Sequence, residues 1–472
     1  MLQDNAGRIL TDLRSLVAAG APGSRLPSVR ALTHRHKASA ATVQRAIAQL
    51  SGEGLLDPRP GRGTFIRSAT APAADHGVTD VEDLSWQEPA LGGERVRPGG
   101  LEELLALPAS GAIPLSTGYL EPALQPTAAL ALSLSRAGRR PGAWDRLPVE
   151  GLPELRDWFA TEIGGQTRGH DVVICSGGQS ALGSAFRALG RPGEPVVVES
   201  PTYLGALAAA RAAGLRVVPV PADADGLRPD LLTDVLERTG ARLVYSQTAF
   251  ANPHGAVLAL ERREPLLDAV TRAGAFLIED DEHRDMAIDG PAPPPLAAAD
   301  PGGHVVHLRS LTKVAAPGLR VAAIAARGAA GARLRAVRVV DDFFVSGPLQ
   351  HAALDLVASP AWRKHKRELV GALRIRRDVL AAAIARDLPQ TRIDRVATGG
   401  LHLWVRLPVG TDDLGLVRAA GTVGVVLCPG RPWFAGEPPA PHVRMTFGGA
   451  SPALLEEGVR RVASTVRPAA IR

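Results

Sequence analysis

Lysine is rare in this chain, and one lysine stands in a setting that suits covalent chemistry. Beside fifty arginines, the 472 residues contain only four lysines, which are Lys37, Lys313, Lys364 and Lys366. Lys313 lies in the segment SLTKVAAPGLR, between Ser310 and Arg320. A Schiff base requires a primary amine that can lose its proton, and a phosphate group is held well by a hydroxyl and a forked cation. The segment predicts both functions, although taken alone it also fits a surface lysine.

Four further segments carry side chains that suit the same chemistry. ICSGGQSAL reads as a strand, a glycine turn and a helix start, where the amides of Gly178 and Gln179 can hold phosphate oxygens. ESPTY places Tyr203 after a strand, where its ring can stack on a pyridine, and NPHG offers the Asn252 amide to a phenolic oxygen. LIEDDEH puts Asp280 at a strand end, where a carboxylate keeps a pyridine nitrogen protonated. Each segment alone has an ordinary structural interpretation, but their common placement at strand ends favours one shared site.

These segments need a scaffold that brings strand ends together. Apolar runs typical of strands alternate with helical stretches, at 172–175, 195–199, 216–220, 243–245, 275–279, 304–308 and 320–325. The alternation predicts an α/β fold with a mostly parallel sheet covered by helices on both faces. We expect a body over residues 112–472, with a large lobe at about 165–350 and a small lobe at about 351–472.

Residues 1–68 predict a separate helical module. Apolar spacing indicates a first helix over 5–18, Pro27 is expected to open a second, and Ser39 to cap a third. Two short strands with a tight turn follow, at 55–57 and 63–67. Three helices and a hairpin make a winged helix-turn-helix.

The charge of this module differs from that of the body. Residues 1–70 hold ten basic and four acidic residues, a net +6, so the remaining 402 residues sum to zero. Clustered cations displace counterions from phosphates, which predicts double-stranded DNA as a partner, although a solvated basic face also explains the charge. If the third helix enters the major groove, the side chains placed to reach bases and phosphates are Ser39, Thr42, Gln44 and Arg45, with Arg30 and Arg62 beside them.

Other features of the sequence predict a linker, a cellular compartment and the state of the cysteines. Residues 69–111 are rich in Ala, Pro and Gly and predict a linker with short helical pieces near 101–107. A secretory signal and a long apolar run are both missing from the sequence, so we expect a cytoplasmic protein. Cys175 and Cys428 lie far apart without metal-ligand spacing and are expected to be buried free thiols.

The basic module carries a family resemblance. The stretch GSRLPSVRALTHRHKASAATVQRAIAQLSGEGLLDPRPGRGTFI resembles the GntR-family winged helix across about 60 residues. The matching pieces are LPSVR, TVQRA, EGLL and GRGTF, in that family's order. The resemblance implies DNA contacts at Arg30, Thr42, Gln44, Arg45 and Arg62 or Gly63.

The body carries a second resemblance. Residues 112–465 resemble fold-type-I pyridoxal-phosphate enzymes of the aspartate aminotransferase group, and the whole chain is similar to the MocR subfamily of GntR regulators. The resemblance implies pyridoxal phosphate as cofactor, a homodimer, and an amino-acid or amine effector whose carboxylate binds Arg444. An exposed strand arginine is the alternative for Arg444. It also implies a Schiff base on Lys313, Asp280 on the pyridine nitrogen, Asn252 on the ring oxygen, Tyr203 stacked on the ring, and Gly178, Gln179, Ser310 and Arg320 on phosphate.

Two positions depart from the family pattern. Two or three residues after Asp280 the family places a tyrosine that bonds the cofactor's ring oxygen, where this chain has Glu282 and His283. A tyrosine that reaches a neighbouring subunit's phosphate is replaced by Arg146, which can still serve phosphate. A carboxylate beside a phenolate oxygen is repulsive unless it is protonated or turned away. We therefore expect cofactor binding without full transamination.

Three functions are compatible with these residues. The leading one is a regulator in which pyridoxal phosphate on Lys313 is sensed, or reacts with an amine, and shifts two DNA-binding heads. The others are an aminotransferase with a DNA-binding appendage, and a DNA-binding protein whose body serves only as a cofactor-free dimer scaffold.

Overall fold

The computed structural model describes residues 4–21, 23–53, 55–59, 63–66, 84–91 and 99–466. The chain divides into two compact units, Met1–Gly92 and Gly93–Arg472. Each unit has an apolar core of its own, a small one in the first and several larger clusters in the second.

The first unit contains a winged helix-turn-helix. Its elements are α1 (Asp4–Ala19), α2 (Val29–His36), α3 (Ala40–Gly52), β1 (Leu56–Arg59), β2 (Gly63–Ile66) and a short helix α4 (Gln87–Leu91). The strands β1 and β2 pair antiparallel. A small core of Ile9, Leu13, Leu32, Val43 and Leu50 holds the three long helices together. The predicted fold of this unit is confirmed.

Two serines fix the starts of the second and third helices. The prediction that Pro27 opens the second helix is wrong, because Ser28 is the N-cap and its Oγ accepts a hydrogen bond from the Ala31 amide at 3.2 Å. A hydroxyl satisfies an amide that the first turn leaves unpaired, and a proline ring offers no such acceptor. Ser39 caps α3 as predicted, accepting from the Thr42 amide at 3.2 Å.

The second unit is built on an eight-stranded sheet. Its strands are β4 (Val172–Cys175), β5 (Pro195–Ser200), β6 (Arg216–Asp223), β7 (Gly226–Leu227), β8 (Leu243–Ser246), β9 (Phe276–Asp280), β10 (Val305–Ser310) and β11 (Ala322–Ala325). The order is β4-β11-β10-β9-β8-β5-β6-β7. The pairs from β10 through β6 are parallel, whereas β11 runs antiparallel to both of its neighbours and β7 antiparallel to β6. The strands β4, β5, β8, β9 and β10 therefore end at one edge of the sheet.

Helices cover this sheet on both faces, as predicted. They are α6 (Thr127–Ala137), α7 (Pro153–Ile163), α8 (Gly178–Leu189), α9 (Leu204–Ala212), α10 (Pro229–Thr239), α11 (Leu260–Arg272), α12 (Gly328–Asp341) and α13 (Gly347–Ala358). Separate apolar clusters lie on the two sides, one containing Val173, Phe186 and Ile278, the other Val197, Leu266 and Leu277.

The small lobe has a sheet of its own. Its elements are α14 (Pro360–Asp387), β12 (Arg392–Ile393), β13 (His402–Arg406), α15 (Asp413–Thr422), β14 (Val425–Val426), β15 (Cys428–Pro429), β16 (His442–Thr446) and α16 (Pro452–Thr465). The sheet order is β12-β13-β16-β15, and β14 pairs separately with β3 (Ile113–Pro114). The strand β3 comes from the start of the body, so the small lobe includes chain far upstream of residue 351.

The end of the predicted linker has its own contacts. The helix α5 (Leu101–Leu105) places Leu101 and Leu104 against Leu204 and Trp433 of the body. Both cysteines are buried free thiols, as predicted. None of the helices in the described ranges combines the length and apolar composition that crossing a bilayer requires.

Candidate functional site

The predicted site residues follow strands that end at the same edge of the large sheet. Gly178 and Gln179 begin α8 after β4, Tyr203 precedes α9 after β5, and Asp280 is the last residue of β9. Ser310 ends β10, and Lys313 follows it. Ligands gather at the carboxyl ends of parallel strands because loops and helix starts converge there.

One cavity collects most of these residues. Of the predicted residues, its lining includes Gly178, Gln179, Tyr203, Asp280, Ser310, Lys313 and Arg320. It also includes five residues that the sequence did not single out as ligands, namely Tyr119, Leu182, Glu282, Leu308 and Thr312. Asn252 and Arg444 are not part of this lining, but they bond to each other, with Arg444 Nη1 donating to Asn252 Oδ1 at 2.9 Å.

The Lys313 amine points into the body of the protein. Its side chain is 11% exposed. Nζ donates to the carbonyl of Gly118 at 3.0 Å and lies 4.3 Å from the centre of the Tyr119 ring. Glu282 Oε2 is 4.0 Å away. This lysine is therefore not the surface residue that the sequence alone left open.

Asp280 is a buried carboxylate with a free acceptor. Oδ2 accepts from the Tyr245 hydroxyl at 2.7 Å and from Gln247 at 3.3 Å, whereas Oδ1 is buried without a hydrogen-bond partner among the described residues. Burial, and next the charge of Glu282, raises the pKa of Asp280 well above its usual range. A cationic N–H at Oδ1 would offset this cost, so the site fits a protonated pyridine nitrogen.

The cavity also contains an anion cradle. Gly177 caps α8 with φ +90°, and a Cβ at that position would collide with the Arg320 guanidinium, which donates to the Ser176 carbonyl at 2.9 Å. The amides at the helix start and this guanidinium are donors that suit phosphate. Thr312 Oγ1 is buried and unpartnered among the described residues, which adds a hydroxyl beside Ser310.

Tyr203 is held as a neutral phenol in the cavity wall. Its hydroxyl donates to Gln179 Oε1 at 3.2 Å, and the Gln179 amide group donates to the Gly205 carbonyl at 2.9 Å. Burial, assisted by the Glu282 charge, raises the pKa of Tyr203. The contacts fix the ring without ionising it.

Arg444 is fully buried at the far side of the site. Besides Asn252, its guanidinium donates to the Ser116 carbonyl and lies 4.5 Å from the centre of the Trp433 ring, while Nε has no partner among the described residues. Burial lowers the pKa of Arg444. The exposed strand arginine that the sequence left as an alternative is thus not what the structure shows.

The positions that depart from the family pattern lie in different surroundings. Glu282 lines the cavity, and His283 is buried beside it with Nδ1 3.1 Å from the Phe250 carbonyl. Arg146 is exposed. Glu282 thus lies beside the Lys313 amine, whereas Arg146 makes no described contact with the cavity lining.

Several residues in or beside the cavity were not predicted, because the sequence around them gives little indication of a binding role. Tyr119 and Gly118 lie in an irregular segment almost two hundred positions before Lys313, and no periodicity marks them. Thr312 directly precedes Lys313 in the SLTK segment, so its position near the site could have been predicted from the sequence. Leu182 follows Gly178 by one helical turn, which places it on the same side of α8.

The third helix of the first unit, α3, exposes polar side chains. Gln44 and Arg45 on α3 and Arg30 on α2 are exposed. The hydroxyls of Ser39 and Thr42 form a hydrogen bond with each other at 2.8 Å. Both side chains are therefore engaged at the capped start of α3.

Other cations of this unit are engaged within it. Arg14 pairs with Glu53 at 2.8 Å and Arg35 with Asp12 at 2.9 Å. Gly63 has φ +110°, and a Cβ there would lie 2.5 Å from Arg25 Nε, so only glycine fits the start of β2. Arg62 lies outside the described residues.

A half-buried histidine near Asn252, whose Nε2 is buried, predicts an acid-sensitive fold. Burial lowers the pKa of His254 from 6.5 to about 4. As pH falls through this window the unfolded chain binds a proton at this position and the folded chain does not, so His254 alone lowers the free energy of unfolding by about 1.4 kcal/mol per pH unit. We expect His254→Gln to flatten the decrease in the urea midpoint between about pH 6.5 and about pH 4. Exposed His34→Gln should leave the decrease unchanged, and equal curves for the His254 variant and the parent would contradict the assignment.

Comparison with known proteins gives the same two parts. Residues 113–462 match the model of the aminotransferase class I and II family, and residues 6–66 that of bacterial regulatory proteins of the gntR family. The chain is 31% identical to the HTH-type transcriptional regulator TauR of Rhodobacter capsulatus, over 98% of this chain and 97% of that protein. It is also 31% identical to the 2-aminoadipate transaminase of Thermus thermophilus, over 82% of this chain and 98% of that protein.

A solved structure matches the body. The α-aminoadipate aminotransferase LysN of Thermus thermophilus, complexed with N-(5'-phosphopyridoxyl)-L-leucine, aligns with a TM-score of 0.75 and 29% identity. The alignment covers 81% of this chain and 98% of that one.

Proposed function

Because this chain belongs to the GntR-type regulators whose body is a class I and II aminotransferase domain, we propose that it regulates transcription in response to pyridoxal phosphate bound at Lys313. The observation that carries the proposal is a cavity that brings together the Lys313 amine, an anion cradle and an Asp280 oxygen to which no described residue donates. The same chain presents an exposed polar helix face at Gln44 and Arg45. The protein is expected to act in the cytoplasm, where its DNA partner lies.

The family and the ligand-bound neighbour indicate pyridoxal phosphate as the cofactor. When bound, this group supplies an aldehyde for amines and a ring that withdraws electrons. Lys313 would provide the amine, Asp280 would hold the ring nitrogen, and Tyr203 would cover the ring. The phosphate would lie against Gly178, Gln179, Ser310 and Arg320, and Asn252 would serve the ring oxygen through its amide nitrogen.

An amino-acid effector is part of the proposal. Arg444 would bind its carboxylate, because a guanidinium can make two parallel bonds to that group. The guanidinium now donates to the Ser116 carbonyl and to Asn252 Oδ1, so a carboxylate would replace one or both acceptors.

A homodimer with two heads is also proposed. The large apolar side chains of Trp144, Val340 and Phe343 are exposed on the single chain, and a second copy packed on them would remove their apolar surface from water. Two heads related by a twofold axis predict a repeated operator.

The test is operator footprinting with the full-length protein at rising pyridoxal-phosphate concentrations. Coupling requires that cofactor and DNA each differ in affinity between two states. We expect the protected region or the half-saturating protein concentration to change with cofactor, and this change to disappear in Lys313→Ala. Identical protection at every cofactor concentration would remove the response from the proposal.

The likeness to a transaminase at 31% identity supports a second candidate, an enzyme with a DNA-binding appendage. Steady turnover of an amino acid with a keto acid, lost in Lys313→Ala, would favour it. A single turnover that stops at the cofactor would favour the regulator.

A further inference from the structure

A carboxylate and a histidine lie directly behind the Lys313 amine. Glu282 is 9% exposed and His283 is 1% exposed. Glu282 Oε2 lies 4.0 Å from Lys313 Nζ, and Glu282 Oε1 lies 3.8 Å from His283 Nε2. Oε1 and Nε2 are both buried without a hydrogen-bond partner among the described residues. Burying two polar atoms without hydrogen bonds costs free energy. A proton on Glu282 would lower this cost, because the protonated acid could donate to Nε2.

The contacts of His283 fix which nitrogen carries its proton. Nδ1 is 3.1 Å from the Phe250 carbonyl, which can only accept, so Nδ1 is the donor. Burial lowers the pKa of His283, which favours the neutral ring. Nε2 then carries a lone pair and lies 3.8 Å from Glu282 Oε1. The neighbouring His402 does not compete, because its Nε2 faces the Arg444 guanidinium at 3.4 Å.

The chemistry at Lys313 needs a proton acceptor at this place. An ammonium must lose a proton before its nitrogen can attack an aldehyde. The Gly118 carbonyl and the Tyr119 ring stabilise an ammonium but cannot take its proton. Asp280 Oδ2 accepts from Tyr245, and its Oδ1, without a partner among the described residues, is the atom proposed to hold the ring nitrogen. Glu282 is then the carboxylate that the described structure places beside Nζ, at 4.0 Å.

We propose that Glu282 is the proton acceptor for the amine that attacks the cofactor aldehyde, and that His283 Nε2 stabilises the protonated acid. The inference rests on the proposed binding of pyridoxal phosphate at Lys313. An N–H bond of the ammonium breaks and its proton moves to Glu282, while a C–N bond forms at the aldehyde carbon. The aldehyde oxygen leaves as water with one proton returned by Glu282 and one from the attacking nitrogen, so Glu282 ends as it began.

The same geometry serves an incoming effector. An amino acid arrives as an ammonium and must also lose a proton to displace Lys313 from the cofactor. Glu282 lines the cavity that the effector would enter and lies 4.0 Å from Lys313 Nζ, so one carboxylate can serve both steps. The residue thus replaces the family's tyrosine with a group that moves protons.

The test measures how fast the cofactor-free full-length protein captures pyridoxal phosphate, followed by visible absorbance. General bases contribute about 10²–10⁴ in rate, so we expect Glu282→Gln to slow capture by about 100-fold while the final absorbance change stays close to that of the parent. Added formate should accelerate capture by Glu282→Ala in proportion to its concentration. The matched control is Glu456→Gln, which removes a surface carboxylate paired with Arg386 and should capture at the parent rate.

Several results would overturn the proposal. Capture by Glu282→Gln at the parent rate excludes a proton acceptor, and a slow Glu282→Ala protein that formate leaves slow assigns Glu282 a structural role. If Glu282→Gln does not fold, Glu282→Asp keeps the carboxylate at a greater distance and should capture at an intermediate rate, with the parent rate counting against the proposal. His283→Leu should slow capture by a smaller factor, and no slowing removes His283. A parent protein that captures no cofactor contradicts the proposed function instead.

Discussion

Lys313→Ala protein mixed with pyridoxal phosphate and then with borohydride is expected to carry no covalent adduct, whereas the parent carries one per chain. Among the described residues that line the cavity, Lys313 alone has a primary amine. The anion cradle at Arg320 remains in the variant, so the cofactor should still bind weakly and wash out. Intact-mass spectrometry after reduction measures the adduct directly.

The matched control is Lys364→Ala. Lys364 is exposed and pairs with Glu368 at 3.7 Å on one helix face, an interaction worth about 0.3–0.5 kcal/mol. This variant should form the adduct as the parent does. An adduct that persists in Lys313→Ala would place the reactive amine elsewhere.

Substitutions on α3 are expected to weaken DNA binding in two distinguishable ways. Gln44→Ala is expected to cost about 1–3 kcal/mol at the cognate operator and to relax preference for one base pair. Arg45→Ala should weaken binding to all sequences alike and reduce the slope of log affinity against log salt by about 1. Titrations at several salt concentrations on cognate and scrambled duplexes separate the two.

Arg14→Ala provides a control with the same change in net charge as Arg45→Ala. Arg14 is also exposed on this unit but pairs with Glu53 at 2.8 Å, so it should contribute little to phosphate binding. Equal losses for the two arginine variants would mean that a diffuse basic surface, and not the third helix, binds the duplex.

Side chains at strand ends were predictable because the topology of a parallel sheet fixes where strand ends meet. Asp280 and Lys313 each follow an apolar run, so their approach to one cavity needs only the sheet order. Ser39 was predictable for a related reason, since a hydroxyl before an amphipathic stretch satisfies the first helical amides.

Contacts between distant irregular segments were not predictable. Tyr119 reaches Lys313 from a loop without periodicity, and the bond between Arg444 and Asn252 joins the small lobe to the large one. Pro27 and Ser28 both carry helix-start signals, and only the hydrogen bond of Ser28 decides between them. From the sequence, Glu282 is expected only to repel the ring oxygen of the cofactor. Its position beside Lys313 depends on the turn after β9, which the sequence pattern does not define.

Two backbone carbonyls separated by a single residue contact both of the cations proposed to hold a ligand. Ser116 accepts from Arg444, and Gly118 accepts from Lys313. Hydrogen bonds to charged groups contribute about 1.5–3 kcal/mol each, so any molecule that takes both cations competes against the chain itself. A measured dissociation constant will therefore reflect the difference between the bonds that these cations make to the ligand and those that they make to the two carbonyls. Substitutions that loosen residues 115–119 should tighten ligand binding, although these residues would not contact the ligand.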